Sequence, residues 1–218
     1  MKDLAKLILV LATAFASTFL IANLTGVLTI EQSKLWLQSA QDLSPLLVGS
    51  LVILLLFSDL FVAVPTLTIT ILSGYFLGFP YGGISAIAGM FLAGIAGYAI
   101  SSRYGDVLFS FIVRDEQRRI EAKETFQQYG FVMILMSRAV PIFPEVSACL
   151  AGITGMSFSR FLTAWLLSSV PYALIASYAG SVSSLDNPMP AIYTTIGLTA
   201  VLWGSWFVFR RYHQTQQA

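Results

Sequence analysis

Residues 130–155 read GFVMILMSRAVPIFPEVSACLAGITG. This apolar segment carries two charged residues, Arg138 and Glu145, and two prolines, Pro141 and Pro144. Proline removes a backbone donor and disfavours helix in the residue before it, so the segment is predicted to form two short helices. We interpret it as a re-entrant hairpin that enters and leaves the membrane on the same side.

The composition of the whole chain indicates an all-α integral membrane protein. Of its 218 residues, 56% are hydrophobic and only 11% are charged, whereas soluble domains carry about 25% charged residues. The charges cluster in short stretches between long uncharged runs, which indicates that lipid covers most of the surface. Helices are expected, because only helices and closed barrels pair their backbone groups in lipid.

Four full transmembrane helices are predicted, since a bilayer core of about 30 Å requires about 20 helical residues. They are expected at residues 7–30, 84–102, 159–180 and 192–209. The first follows two lysines, as a signal peptide would, but its apolar run exceeds the usual length of about 7 to 15 residues. We therefore expect it to be retained. The polar segment after it, with Trp36, is predicted to be an interfacial amphipathic helix.

A second broken apolar segment covers residues 45–80, where Asp59 is the only charged residue. Pro65 should interrupt the helix and leave two pieces, at about residues 46–57 and 66–79, each about 20 Å long. Neither piece crosses the bilayer, so a second re-entrant hairpin is expected. The second piece begins with an alternating pattern typical of a strand, but an isolated strand would leave its backbone unpaired in lipid.

The two hairpin segments contain matching short motifs in the same order, which we call the sequence echo. Three matches lie at nearly constant offset: Ala63-Val64-Pro65 with Ala139-Val140-Pro141, Ser73-Gly74 with Ala151-Gly152, and Gly78 with Gly155. Each hairpin is followed by a span in which small residues recur every four positions, a pattern typical of closely packed membrane helices. These are Ser85, Gly89, Ala93, Gly97 and Ser101, and then Ser169, Ala173, Ser177 and Ser181. The chain is predicted to contain an inverted repeat of two hairpin-plus-span units.

The distribution of positive charge predicts the orientation. With both termini in the cytoplasm, ten of the twelve Lys and Arg residues lie inside, while Lys34 lies outside and Arg138 lies in the membrane. This is the bias of the positive-inside rule, and it makes the two hairpins enter from opposite sides. A compact chain with short tails suggests a bacterial plasma membrane.

Three parts are expected along the chain. Residues 103–128 hold five Lys/Arg and five Asp/Glu, and a cytoplasmic surface helix is predicted over 106–128. This helix separates the two units of a central domain. The predicted parts are 1–42 with the first span and the interfacial segment, 43–181 with both hairpins at about 45–80 and 130–155, and 182–218 with the last span and a short polar tail.

The second hairpin resembles the signature of the DedA superfamily, whose members carry the VTT domain, also called the SNARE-associated Golgi protein domain. The resemblance rests on Gly130-Phe131, the R-x-x-P-x-x-P motif from Arg138 to Pro144, Ala151-Gly152-Ile153-Thr154, Phe161 and Pro171. It is closer to the Golgi-type bacterial branch, although Glu145 departs from the apolar or amide residue expected there. The resemblance implies two facing hairpins and lipid translocation, of undecaprenyl phosphate in bacteria and of phospholipids in eukaryotes.

Arg138, Glu145 and Asp59 are the candidate substrate-binding residues, because ionisable groups at membrane depth usually line a cavity or pair with each other. A guanidinium binds phosphate through two parallel hydrogen bonds, so Arg138 is predicted to hold a lipid phosphate. Glu145 and Asp59 are candidates for proton exchange. The structural alternatives for Arg138 are an ion pair with Glu145 that fixes the hairpin, or a side chain that extends to the membrane interface. For Asp59 the alternative is a helix cap at the hairpin mouth.

Pro65, Pro141, Pro144, Gly74 and Gly152 are interpreted as architectural breaks between helices rather than as ligand contacts.

Several other functions are disfavoured by the sequence. A net charge of +1 without a basic block does not suit nucleic acid. With Cys149 as the only cysteine and His213 as the only histidine, a Cys/His metal site is excluded, and no cofactor is expected. No motif of a hydrolase is present, so we do not expect an enzyme. The remaining alternative is a proton- or cation-coupled carrier for a small solute, which would need a polar cavity closed to lipid.

Overall fold

A computed structural model describes residues 44–62, 64–140, 142–184 and 187–215, together with Leu9 and Thr13. Apart from Leu9 and Thr13, the predicted first span and the interfacial segment lie outside these residues, as does the predicted break at Pro141. From residue 44 onward, the described chain forms seven α-helices and no strand. The prediction of an all-α protein is confirmed, and the alternating residues 66–70 are helical.

The helices have the following bounds: α1 Pro45–Ser58, α2 Thr66–Leu77, α3 Tyr81–Ile112, α4 Glu116–Met136, α5 Phe143–Ile153, α6 Phe158–Ser181 and α7 Met189–Thr215. A 3-10 turn, Ser137–Ala139, follows α4. Pro65 directly precedes α2, and Pro144 lies in the first turn of α5, where proline is tolerated because those N–H groups have no helical partner.

Two of the described helices are long and apolar enough to cross a bilayer. They cover Tyr81–Gly105, with 25 residues, and Phe158–Ser181, with 24 residues. The other apolar helices are shorter: α1 has 14 residues, α2 has 12 and α5 has 11. At about 1.5 Å per residue, none of these three reaches across an apolar core of about 30 Å.

The structure differs from the predicted surface helix over residues 106–128. The helix α3 continues to Ile112, and α4 begins at Glu116 and runs without a break into the apolar segment. The boundary arises at Asp115, whose carboxylate accepts hydrogen bonds from the backbone N–H groups of Gln117 and Arg118 at 3.0 and 3.4 Å. Such an N-cap favours a new helix start within a continuous charged stretch.

The second helix of each hairpin packs against the long helix that follows the other hairpin. In this way α2 packs against α6, and α5 packs against α3. A methyl group on Gly74 would collide with the backbone of Ser177, and one on Gly152 would collide with the backbone of Tyr98. The two glycines that match in the sequence echo therefore make equivalent close contacts.

Gly74 and Gly152 are not helix breaks, in contrast to the prediction, because both lie inside helices. The backbone instead turns at the next pair of the echo, Gly78 and Gly155, whose φ angles are 68° and 70°. This left-handed conformation is accessible to glycine and strained for other residues.

The small-residue face of α3 packs closely, as the sequence predicts. Gly89 contacts Ile53 and Leu56 of α1, and Gly97 contacts Leu60 and Ala148. The helix α3 therefore contacts both hairpins. The centre of the described fold is α5, in which every residue from Pro144 to Ile153 is buried.

Glycine is required where α2 crosses α6. A methyl group on Gly74 or Gly180 would collide with the backbone of Ser177 or Ile71, respectively. We expect Gly74→Ala and Gly180→Ala each to destabilise the protein by about 1–3 kcal/mol, the usual cost of overpacking. The measurement is the melting temperature of the detergent-solubilised protein.

Gly197→Ala is the matched control, since a methyl group on this α7 residue meets no atom of the described residues within 4 Å. Alanine favours helix over glycine, so this variant should melt at or above the temperature of the wild type. Unchanged melting temperatures for the two α2–α6 variants would contradict the packing described.

Candidate functional site

A cavity of about 620 Å³ lies where the two hairpins meet α6 and α7. Asp59 from the α1–α2 loop, Arg138 from the 3-10 turn and Glu145 from α5 all line it. Pro65 and Pro144 line it as well. The tertiary structure therefore brings together the three charged residues singled out from sequence, although 86 residues separate Asp59 from Glu145.

Arg138 is held by one face of α6. One terminal nitrogen, Nη2, donates a hydrogen bond to the hydroxyl of Ser169 at 2.9 Å. The guanidinium carbon lies 5.3 Å from the ring centroid of Trp165 and 5.4 Å from that of Tyr172. These three α6 residues are spaced by four and three positions, so they lie on the same side of the helix. The guanidinium gains a hydrogen bond and two cation–π contacts from them.

The guanidinium retains unused hydrogen-bonding capacity. Its Nε atom is buried and has no hydrogen-bond partner among the described residues. Within the same residues, no carboxylate oxygen lies within 4.0 Å of its nitrogens, so a direct ion pair with Glu145 is not formed. A buried donor without a partner is costly. An anionic ligand that accepted from it would remove this cost.

Asp59 closes the loop between α1 and α2. Its Oδ1 atom accepts a hydrogen bond from the backbone N–H of Val64 at 2.9 Å, and Oδ2 accepts one from the hydroxyl of Thr66 at 2.7 Å. The residue is only 6% exposed. Asp59 therefore stabilises the α1–α2 loop through Val64 and Thr66 and lines the cavity, although its side chain does not cap the N–H groups of α2.

Glu145 lies in the first turn of α5, where the positive end of the helix dipole stabilises a negative charge. It is 7% exposed. Its carboxyl group lines the same cavity as the carboxyl group of Asp59 and the guanidinium of Arg138.

The backbone is strained beside Glu145. Ile142, which precedes α5 and lines the cavity, has a φ angle of 72°. For a β-branched residue this left-handed conformation is a genuine outlier. Strained residues of this kind cluster at functional sites.

Several lining or supporting residues were not predicted from the sequence. Ser169 belongs to the small-residue pattern of α6, but nothing in that pattern assigns it to Arg138. Trp165 and Tyr172 have the spacing of ordinary helix-packing residues. The contribution of α7, through Leu198, Thr199, Leu202 and Trp203, has no local signal at all.

Comparison with known proteins assigns the family. Residues 64–182, more than half of the chain, match the model of the VTT domain. The chain belongs to the VTT-domain family. The resemblance found in the second hairpin is confirmed, and the protein is a membrane protein of this family. The match begins after Asp59 and ends before α7, so the VTT domain supplies only part of the cavity lining.

A curated relative from Synechocystis sp., described as an uncharacterized membrane protein, is 25% identical over 175 residues. The aligned region covers 71% of this chain and 80% of that protein. No solved structure matches the chain.

The Asp59 hydrogen bonds lead to a stability prediction. In Asp59→Ala, the N–H of Val64 and the hydroxyl of Thr66 lose their acceptor, which should cost about 1–3 kcal/mol for each group that stays buried and unpaired. Thr66→Val removes only one of these bonds and should cost less. The measurement is thermal unfolding in detergent.

Ser58→Ala is the control, because the Ser58 hydroxyl bonds only to the carbonyl of Leu55 within α1. This variant should melt close to the wild type. If Asp59→Ala also did so, Asp59 would not stabilise the α1–α2 loop.

Proposed function

We propose that this protein transports phosphate-bearing lipids, such as phospholipids or undecaprenyl phosphate, across the bilayer as a flippase or scramblase. The observation that supports the proposal is the Arg138 guanidinium, held by α6 in a cavity and left with an unpaired donor. A guanidinium offers planar donors that match two phosphate oxygens at once. Arg138 is therefore proposed to bind the headgroup phosphate.

The exposure of the lining residues favours a lipid over a small solute. Asp59 and Glu145 are nearly fully buried, whereas Val140 is 38% exposed and Trp203 is 53% exposed. The charged groups therefore lie deep, and apolar side chains form the mouth. An amphiphile matches this change from charged to apolar lining, with its headgroup inside the cavity and its hydrocarbon at the mouth. A solute carrier would instead need a polar cavity closed to lipid.

The membrane arrangement is part of the proposal. We infer four full spans, two re-entrant hairpins that enter from opposite sides of a bacterial plasma membrane, and both termini in the cytoplasm. The equivalent contacts of Gly74 and Gly152, and the equivalent turns at Gly78 and Gly155, support an inverted repeat. In this arrangement the cavity lies near the midplane of the bilayer, between the α1–α2 loop and the segment that joins α4 to α5.

Proton coupling is proposed as the second element of the mechanism. The carboxyl groups of Asp59 and Glu145 come from opposite hairpins and line the cavity that contains Arg138. A phosphate bound to the guanidinium would add negative charge beside them, so binding and proton uptake would favour each other. No bond of the lipid is made or broken in this cycle.

Arg138→Lys and Arg138→Ala test the phosphate contact. Lysine retains the charge but cannot form two parallel hydrogen bonds, so both variants should slow lipid translocation in proteoliposomes by about ten-fold or more. Arg160→Ala is the matched control, because Arg160 is exposed at the start of α6. It should translocate at the wild-type rate. Wild-type rates in both Arg138 variants would refute the proposed headgroup contact.

Glu145→Gln tests the proton step. The amide is similar in size but cannot exchange a proton, so an imposed pH gradient should accelerate the wild type and leave this variant unaffected. Translocation of a fluorescent phospholipid is measured with and without the gradient. Glu145 would be excluded as the coupling group if the pH gradient left the wild-type translocation rate unchanged, or if it still accelerated translocation by the variant.

A further inference from the structure

The helix α7 supplies one wall of the cavity. Its contributions are Leu198, Thr199, Leu202 and Trp203, which we call the α7 cavity face. Their spacing places them on one side of the helix. They lie beyond residue 182, where the match to the VTT domain ends. The wall is therefore supplied by a helix outside the matched domain.

Among the described residues, the cavity lining is exposed at α7 and at the α1–α2 loop. The helix α7 packs mainly against α6, the 3-10 turn and α4, and has at most marginal contact with α1 and α2 among the described residues. On the two sides of this gap, Pro65 and Trp203 both line the cavity and are both exposed. Within the described part of the chain, a molecule that is bound inside the cavity can thus extend outward between α7 and the loop.

The chemistry of the α7 cavity face suits hydrocarbon. Leu198 and Leu202 are aliphatic, and Trp203 presents a large aromatic surface of which 53% is exposed. Thr199 carries the only hydroxyl of this face, and its proton is already donated to the carbonyl of Thr195 at 2.7 Å. The face therefore offers no free hydroxyl donor to a phosphate, which distinguishes it from the Arg138 side of the cavity.

We propose that the α7 cavity face binds the hydrocarbon chain of the lipid whose phosphate is bound at Arg138, and so selects lipids by their chains. This inference rests on the proposed function. The chain would leave the cavity between Trp203 and the α1–α2 loop and continue into the surrounding bilayer. The VTT domain would then recognise the headgroup, and α7 would recognise the chain.

A matched pair of tryptophan substitutions tests the chain contact. Thr199→Trp places a bulky ring on the α7 cavity face, whereas Gly197→Trp places the same ring about 160° around the helix from Thr199, on the opposite side. In proteoliposomes, Thr199→Trp should slow translocation of a long-chain fluorescent phosphatidylglycerol by about ten-fold, because it narrows the mouth. Gly197→Trp should translocate at the wild-type rate, because no described atom lies within 4 Å of a methyl group at this position. Equal rates for the two variants would overturn the inference.

Photo-crosslinking locates the chain directly. The probe is a phosphatidylglycerol with a diazirine midway along one acyl chain, and adducts on the purified protein are mapped by mass spectrometry. We expect adducts on the α7 cavity face, and fewer of them in Arg138→Ala, which would no longer retain the headgroup. Adducts spread evenly around α7, or unchanged in Arg138→Ala, would indicate only bulk lipid and contradict a chain site.

The two sets of variants separate this inference from the proposed function. If Arg138 variants lose translocation while Thr199→Trp translocates at the wild-type rate, the proposed headgroup contact is supported. The proposed chain contact with the α7 cavity face is then wrong. If Thr199→Trp blocks translocation while Arg138 variants stay normal, the chain contact stands and the phosphate contact is wrong.

Discussion

The structure depends on how one partly buried guanidinium, that of Arg138, is held. A charged group in an apolar interior is costly unless hydrogen bonds and electrostatic partners compensate for the lost water. For Arg138 the compensation comes from α6, through the Ser169 hydroxyl and the flanking rings of Trp165 and Tyr172. Trp165 is fixed in turn, since its indole N–H donates to the carbonyl of Met90 in α3 at 3.1 Å. The long helices α3 and α6 therefore fix the position of Arg138, although Arg138 itself lies in the 3-10 turn outside both helices.

Each half of the described fold consists of one hairpin and the long helix that follows it. The second helix of each hairpin packs against the long helix of the other half, and this packing holds the cavity together. In a membrane, water does not drive helices together, and close contact depends on small residues that let backbones approach. Here α2 packs on α6 and α5 packs on α3, at Gly74 and Gly152. Because each hairpin is packed against the other half, Asp59 and Glu145 arrive from different hairpins at one cavity. A shift of either hairpin would change the charge environment of Arg138.

Local signals in the sequence account for much of this fold. The shortage of charge indicated lipid, Pro65 marked the start of α2, and the four-residue spacing on α3 indicated a close contact. The errors also have local causes. The capping of α4 by Asp115 was hidden within a charged stretch that suggested one continuous helix. Glycine was interpreted as a break at Gly74 and Gly152, although a glycine at a helix crossing has the same sequence appearance as one in a turn.

The sequence by itself determined that this is an all-α membrane protein of the VTT family with three charged residues in broken apolar segments. These properties follow from composition, proline chemistry and a local motif, none of which requires knowledge of distant contacts. Only the tertiary structure decided that the three charges share one cavity, that α6 supports Arg138, and that α7 forms a wall. Such relations depend on which helix faces pack together, and a helix face is selected by its partners rather than by its own residues alone.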